Sequence, residues 1–144
     1  MGFLSMERHN KELVLHRIER AKEHHQSAKE LFANGHFLDS VSRSYYVVFS
    51  ATRAVLATVD MDNSRHSGVI SLFDKHFVKE GKIGVEASRI IHEAMECRVK
   101  ADYADYPDIT KDIAENELVK AERFMKEVEE YIKGLGREEM GEER

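Results

Sequence analysis

Eight histidines in 144 residues make metal chemistry the first question, because imidazole is the commonest metal ligand. The spacings argue against it. A di-iron helical bundle needs Glu-x-x-His, and no histidine here has a glutamate three residues before it. A zinc-protease helix needs His-Glu-x-x-His, and after His92-Glu93 the second histidine position holds Glu96. His24, His25 and His36 gather around the end of one segment and read as surface or core side chains rather than ligands. Asp60-Met61-Asp62 has the Asp-x-Asp spacing that holds a catalytic metal in nucleotide-transferring enzymes. It lacks the strand and Gly-Ser turn such a site needs, so it reads as a polar loop. Cys97 has no histidine at i±3 or i±4, which makes it a small packed residue rather than a nucleophile. No metal and no cofactor is expected, and the absence of a Gly-rich phosphate loop argues against a nucleotide hydrolase.

Two arginines carry more information. Arg98 completes the series Ala87, Ile91, Ala94, Arg98, Ala101, spaced 4, 3, 4, 3, so its guanidinium is expected at the buried face of a helix. Asp102 lies one turn on and can pair with it. Arg43 has Asp39 at i−4 and stands among Ser40, Ser44 and Tyr46, a polar strip on an otherwise apolar segment. The structural reading of both is an ion pair. The functional reading is a cleft in which two arginines and tyrosine hydroxyls receive a phosphate or a partner's carboxylates.

The elements that must position these groups are helices. Proline occurs once, where ordinary usage gives about seven, and the breakers fall at Asn34-Gly35, Asp60 to Gly68, Gly81 to Gly84, Asp105 to Asp108 around Pro107, and from Gly134. The first segment repeats Val14, Ile18, Ala21, His25, Ala28 and Phe32, and the last repeats Ala114, Leu118, Ala121, Met125, Val128 and Ile132 behind a Thr110 N-cap, with Asp112 in its first turn. Segment three, about Ser67 to Lys79, lines up Ile70, Phe73 and Phe77, and segment four runs from about Val85 to Tyr103. Segment two, about His36 to Val59, is apolar around most of its circumference, which predicts burial on several sides. Short connections predict an all-α, up-and-down bundle of about five helices with segment two at its centre. A homodimer is expected to cover the apolar surface left on that segment.

Composition narrows the class. With 42% hydrophobic and 34% charged residues the chain is a globular domain, expected over about residues 7–133 with a charged, frayed tail at 134–144. The formal charge of −5 is uneven: residues 104–144 hold 7 basic and 13 acidic groups, so the rest is nearly balanced. That excludes a generically basic nucleic-acid binder. A lone cysteine fits a reducing, cytoplasmic setting. No apolar run approaches the length of a membrane span, and MGFLSMERHN fits neither a signal peptide nor a myristoylation site, since position 6 is Met6.

Four stretches taken together resemble a known family. DSVSRSYYVVFSATRAVL (Asp39 to Leu56), RHSGVISLFDKHFVKEGKI (Arg65 to Ile83), RVKADY (Arg98 to Tyr103) and ITKDIAENELVKAERFMKEV (Ile109 to Val128) stand in the order found in small prokaryotic proteins of the HEPN superfamily, over roughly residues 10–133. The resemblance implies an HEPN-like helical bundle that pairs as a homodimer. It also implies a partner, because many such proteins are encoded beside a minimal nucleotidyltransferase and form toxin–antitoxin pairs with it. Others in the superfamily are metal-independent RNases, marked by an arginine followed after four to six residues by a histidine. Arg98 matches the arginine, but the histidine positions hold Tyr103, Ala104 and Asp105, giving Arg-x-x-x-Asp-Tyr instead. What the resemblance carries over is Arg98, Asp102 and Tyr103 as a polar constellation, joined by Arg43 and Tyr46 as binding residues. The favoured expectation is a dimeric binding module that docks a nucleotidyltransferase, with a nucleotide or RNA as a further ligand. The alternatives are an RNase toxin with a degenerate motif and a purely structural helical dimer.

Overall fold

A computed structural model describes residues 8–139. The N-terminal pattern at 1–6 and the last five residues of the tail lie outside the described residues. The described chain is all-α, with α1 (Arg8–Ala33), α2 (Phe37–Ala57), α3 (His66–Phe73), a π-helical turn (Asp74–Val78), α4 (Val85–Tyr103) and α5 (Lys111–Glu139). No strand is present among the described residues, and no helix is long and apolar enough to cross a membrane.

Three of the helix ends stop in the same way. At Gly35 the backbone turns left-handed with φ +80°, Gly35 N–H bonds to Phe32 C=O at 3.0 Å and His36 N–H bonds to Leu31 C=O at 2.9 Å. This is a Schellman closure, and glycine adopts its φ without strain from a Cβ. The end after Phe77 repeats the pattern at Gly81, and α2 repeats it at Asp60, whose φ is +57°. Asp60 is thus a helix-terminating residue, which accounts for the Asp-x-Asp spacing without a metal. Thr110 caps α5 as expected, its Oγ1 accepting from Ile113 N–H at 3.2 Å.

Helix α2 sits at the centre, packed by α1, α5, α4 and α3, with α1 against α2 the most extensive contact. Val41, Val47, Val48, Ala51, Ala54, Val55 and Leu56 are all buried within one chain. The middle of the apolar circumference that suggested a dimer is therefore covered by the chain's own helices. Exposed apolar surface remains at the two ends of that segment, on Leu38 and Val59, and elsewhere on Leu15, Val85, Val99, Tyr103, Tyr106 and Val119. The stripes of α1 and α5 face the core as read. In α5, however, Leu118 is only half-buried while Glu117 is buried, held by Lys120 at 2.9 Å, which also reaches Glu93 on α4 at 2.7 Å. Two further boundaries differ. Segment three is not one α-helix to Lys79: Lys79 N–H bonds to Asp74 C=O at 2.8 Å in a π turn, which i, i+4 apolar spacing such as Phe73 and Phe77 cannot distinguish from α. Helix α5 continues through Gly134 and Gly136 to Glu139, because helix propensity penalises glycine without forbidding it.

His25, in the α1 stripe, is buried, and burial holds its imidazole below the ordinary value despite the nearby Glu122 carboxylate. The unfolded chain then takes up a proton at higher pH than the folded one. This contribution to stability is complete above about pH 6.5 and is lost as pH falls toward and through the folded value. The melting temperature should drop between about pH 7 and about pH 5, and His25→Gln, which does not titrate, should flatten that drop in thermal scans.

Candidate functional site

Arg98 lies on the face of α4 that packs on α2. Its side chain is 13% exposed, and its guanidinium lies over the Tyr45 ring at 5.0 Å and the Tyr46 ring at 5.7 Å. Nη1 donates to Tyr46 Oη at 3.5 Å and faces Asp102 Oδ2 at 3.4 Å. The other Asp102 oxygen accepts from Ser42 Oγ on α2. The pair read from sequence thus forms, but loosely, and it is tied across two helices. Arg98 Nε is buried with no hydrogen-bond partner among the described residues. A planar cation held on two aromatic faces is a fixed donor with hydrogen-bonding capacity left over, although its Nε edge is closed to solvent.

The remaining expected residues behave differently. Tyr46 joins Arg98, and it also lines a groove of about 490 Å3 with Arg20, His24, Leu31, Asp39, Ser42 and Arg43. Arg43 is exposed and makes no ion pair with Asp39; both side chains extend into solvent, where an i, i+4 attraction is too weak to fix them. Nor is there a single polar strip: Ser40 and Ser44 are buried, and Ser40 Oγ donates to Ala28 C=O at 2.9 Å. Tyr103 is 72% exposed and joins none of these contacts. Cys97 is half-buried, with burial and then Glu117 pushing its thiol upward, the behaviour of a packed and unreactive cysteine. No group of three or more potential metal ligands occurs among the described residues.

Sequence reasoning missed Tyr45 and His66. Tyr45 is fully buried, and its hydroxyl meets His66 Nδ1 at 2.8 Å. Burial, with Arg98 lowering and Tyr46 raising, leaves the phenol well above its ordinary pKa and so protonated. The Tyr45 hydroxyl makes no other hydrogen bond among the described residues, and a buried donor is seldom left unpaired, so Tyr45 is assigned as donor to Nδ1, which places the His66 proton on Nε2. Burial, then Arg98, then Arg53 hold the imidazole below its usual value, in the neutral form. Its ring stacks on Phe49 with centroids 4.1 Å apart. An imidazole therefore does stand near Arg98, but it comes from the start of α3 and offers an N–H donor rather than a free base. The only sequence signal for it was a histidine beside Arg65 in a polar run, because pairing across separate helices leaves no local spacing to read.

Comparison with known proteins agrees with this architecture. The HEPN domain family matches residues 14–131. The chain is 38% identical over 119 residues to "Putative toxin MJ0605" of Methanocaldococcus jannaschii, covering 82% of this chain and 87% of that protein. It is 35% identical over 116 residues to "Putative toxin MJ0142" of the same organism, covering 80% and 78%. A UPF0332 protein of Thermotoga maritima is 32% identical over 118 residues, covering 82% and 89%. With a family match spanning most of the chain and a central α2 carrying the expected stretch, this protein belongs to the HEPN domain family.

Proposed function

We propose that this chain acts in the cytoplasm as the dimeric helical component of a toxin–antitoxin-like pair, docking a minimal nucleotidyltransferase through the face formed by Arg43, Tyr46, Arg98, Asp102 and Tyr103. The observation that carries this reading is the preorganised Arg98 guanidinium, braced on Tyr45 and Tyr46 and only loosely paired with Asp102 at 3.4 Å. Arg43, unpaired and exposed beside it, supplies a second cation for a partner's carboxylates or for a nucleotide phosphate. The relatives named as toxins support the toxin-like context. The exposed Val99, Tyr103 and Tyr106 supply apolar area for the subunit or partner contact. An Nε2–H tautomer at His66 favours binding over cleavage, because a donor cannot take a 2′-hydroxyl proton.

The test is the double variant Arg98→Met/Asp102→Leu. Replacing a partly buried pair by apolar side chains of similar volume should leave the fold intact, with stability within about 1 kcal/mol. Affinity for a candidate minimal nucleotidyltransferase partner should fall at least about tenfold, since methionine has no forked donor. Scanning calorimetry reads the stability and titration calorimetry the affinity. Unchanged affinity on the folded variant would discard the docking site, and RNA cleavage by wild type that vanishes in Arg98→Ala would make the protein an enzyme instead.

A further inference from the structure

A second set of cations gathers where α1 meets α2. Arg17 Nη2 and Arg53 Nη2 lie 3.2 Å and 2.9 Å from the same oxygen of Asp62, in the loop after α2. Arg53 Nε reaches the other oxygen at 3.4 Å, and Arg17 Nη1 donates to the Arg53 C=O at 3.0 Å. One carboxylate thus neutralises only half of the charge brought to it. The excess is felt locally: burial, and then Arg53, pull the Arg17 guanidinium below its ordinary value.

Beside this clamp opens a cavity of about 530 Å3 lined by Phe49, Arg53, Asp62, Asn63, Ser64 and His66. It shares Phe49 and Arg53 with a neighbouring cavity of about 400 Å3 that Arg17 and Arg20 also line. The loop wall is built for this shape. Asn63 Oδ1 accepts from Arg65 N–H at 2.9 Å, and a Cβ at Gly68 would fall 2.2 Å from the Asn63 side chain, so only glycine leaves that side chain its place. His66, a second wall, is fixed by Phe49 beneath it and Tyr45 behind it, which leaves its Nε2–H as the edge not engaged by the protein.

We propose that Arg53 and His66, backed by Arg17, form a binding site for a phosphate group, with Asp62 holding the anion's position until the ligand displaces it. Two guanidiniums and one imidazole N–H match the tetrahedral oxygens of a phosphate better than they match one carboxylate. The phosphate can belong to an RNA backbone or to a free nucleotide. The site does not rest on the docking role of Arg98.

The full chain should be titrated with a single-stranded oligouridylate, AMP and inorganic phosphate, with circular dichroism confirming the fold of each variant. Arg53→Gln should weaken binding about tenfold and, for the oligonucleotide, make the log affinity against log salt slope shallower by about 0.7, the value of one lost phosphate contact. Tyr45→Phe/His66→Leu, which removes the N–H without stranding the buried hydroxyl, should weaken binding to a similar extent. Asp62→Asn should tighten binding several-fold, an effect in the direction opposite to any loss of fold. Oligonucleotide binding with silent AMP assigns the site to a backbone phosphate, and comparable AMP binding assigns it to a terminal one. The proposal is overturned if wild type binds none of the three probes, if Arg53→Gln leaves affinity and salt slope unchanged, or if Asp62→Asn binds no tighter.

Discussion

Val128→Asp should lower stability by about 3 to 5 kcal/mol and the melting temperature by on the order of 10 °C. Val128 is fully buried in the stripe that α5 turns toward the core, alongside Phe124, Met125 and Ile132. A carboxylate there finds no cation and no water, so it either carries a desolvated charge or takes up a proton and remains an unsatisfied polar group. The neighbouring Glu129→Ala makes the comparison sharp. Glu129 pairs with Lys22 across α1 and α5 at 3.1 Å, with the lysine half-exposed, so its loss should cost less than about 1 kcal/mol. Similar melting temperatures for the two variants would show that the α5 stripe does not face the core.

Lys120→Met is the second large effect, expected to cost about 3 to 5 kcal/mol. The side chains of Lys120 and Glu117 are 13% and 8% exposed. Burial works against the Lys120 ammonium, but hydrogen bonds from it to Glu93 and Glu117 outweigh that and raise its pKa. Taking the lysine away leaves Glu117 buried and uncompensated. Adding Glu117→Leu should recover most of the loss, because an apolar pair of similar volume is nearly as good as a buried ion pair. Urea unfolding of the single and double variants checks both halves. A single variant as stable as wild type would mean that water reaches Glu117 freely.

The legible part of the fold is whatever local rules decide. Thr110, Gly35 and the stripes of α1 and α5 are set by backbone geometry and helical period, and each is where its spacing put it. The rest depends on contacts between elements. Leu118 yields its buried place to Glu117 because Lys120 and Glu93 converge on the same seam, which periodicity within one helix cannot express. The candidate site divides along the same line. Arg98 with Asp102 is an i, i+4 pair and was readable. The Tyr45–His66 bond and the Arg17–Arg53–Asp62 clamp join residues far apart in sequence and were not. Arg43 with Asp39 shows the converse: correct spacing on an exposed face, and no pair.

The tight turn between α1 and α2 has a consequence for the order of folding. The most extensive helix–helix contact joins sequence neighbours across Asn34, Gly35 and His36, so little chain entropy is lost in closing it. Helix α5 instead packs on α1 and α2 only after the chain between has been looped back. A transition state built on the α1–α2 hairpin would leave the α5 seam unformed, and substitutions such as Val128→Asp would then act by hastening unfolding while refolding keeps nearly its native rate. The lifetime of the folded state would be set at its last-closed seam, far along the chain from the turn that starts it.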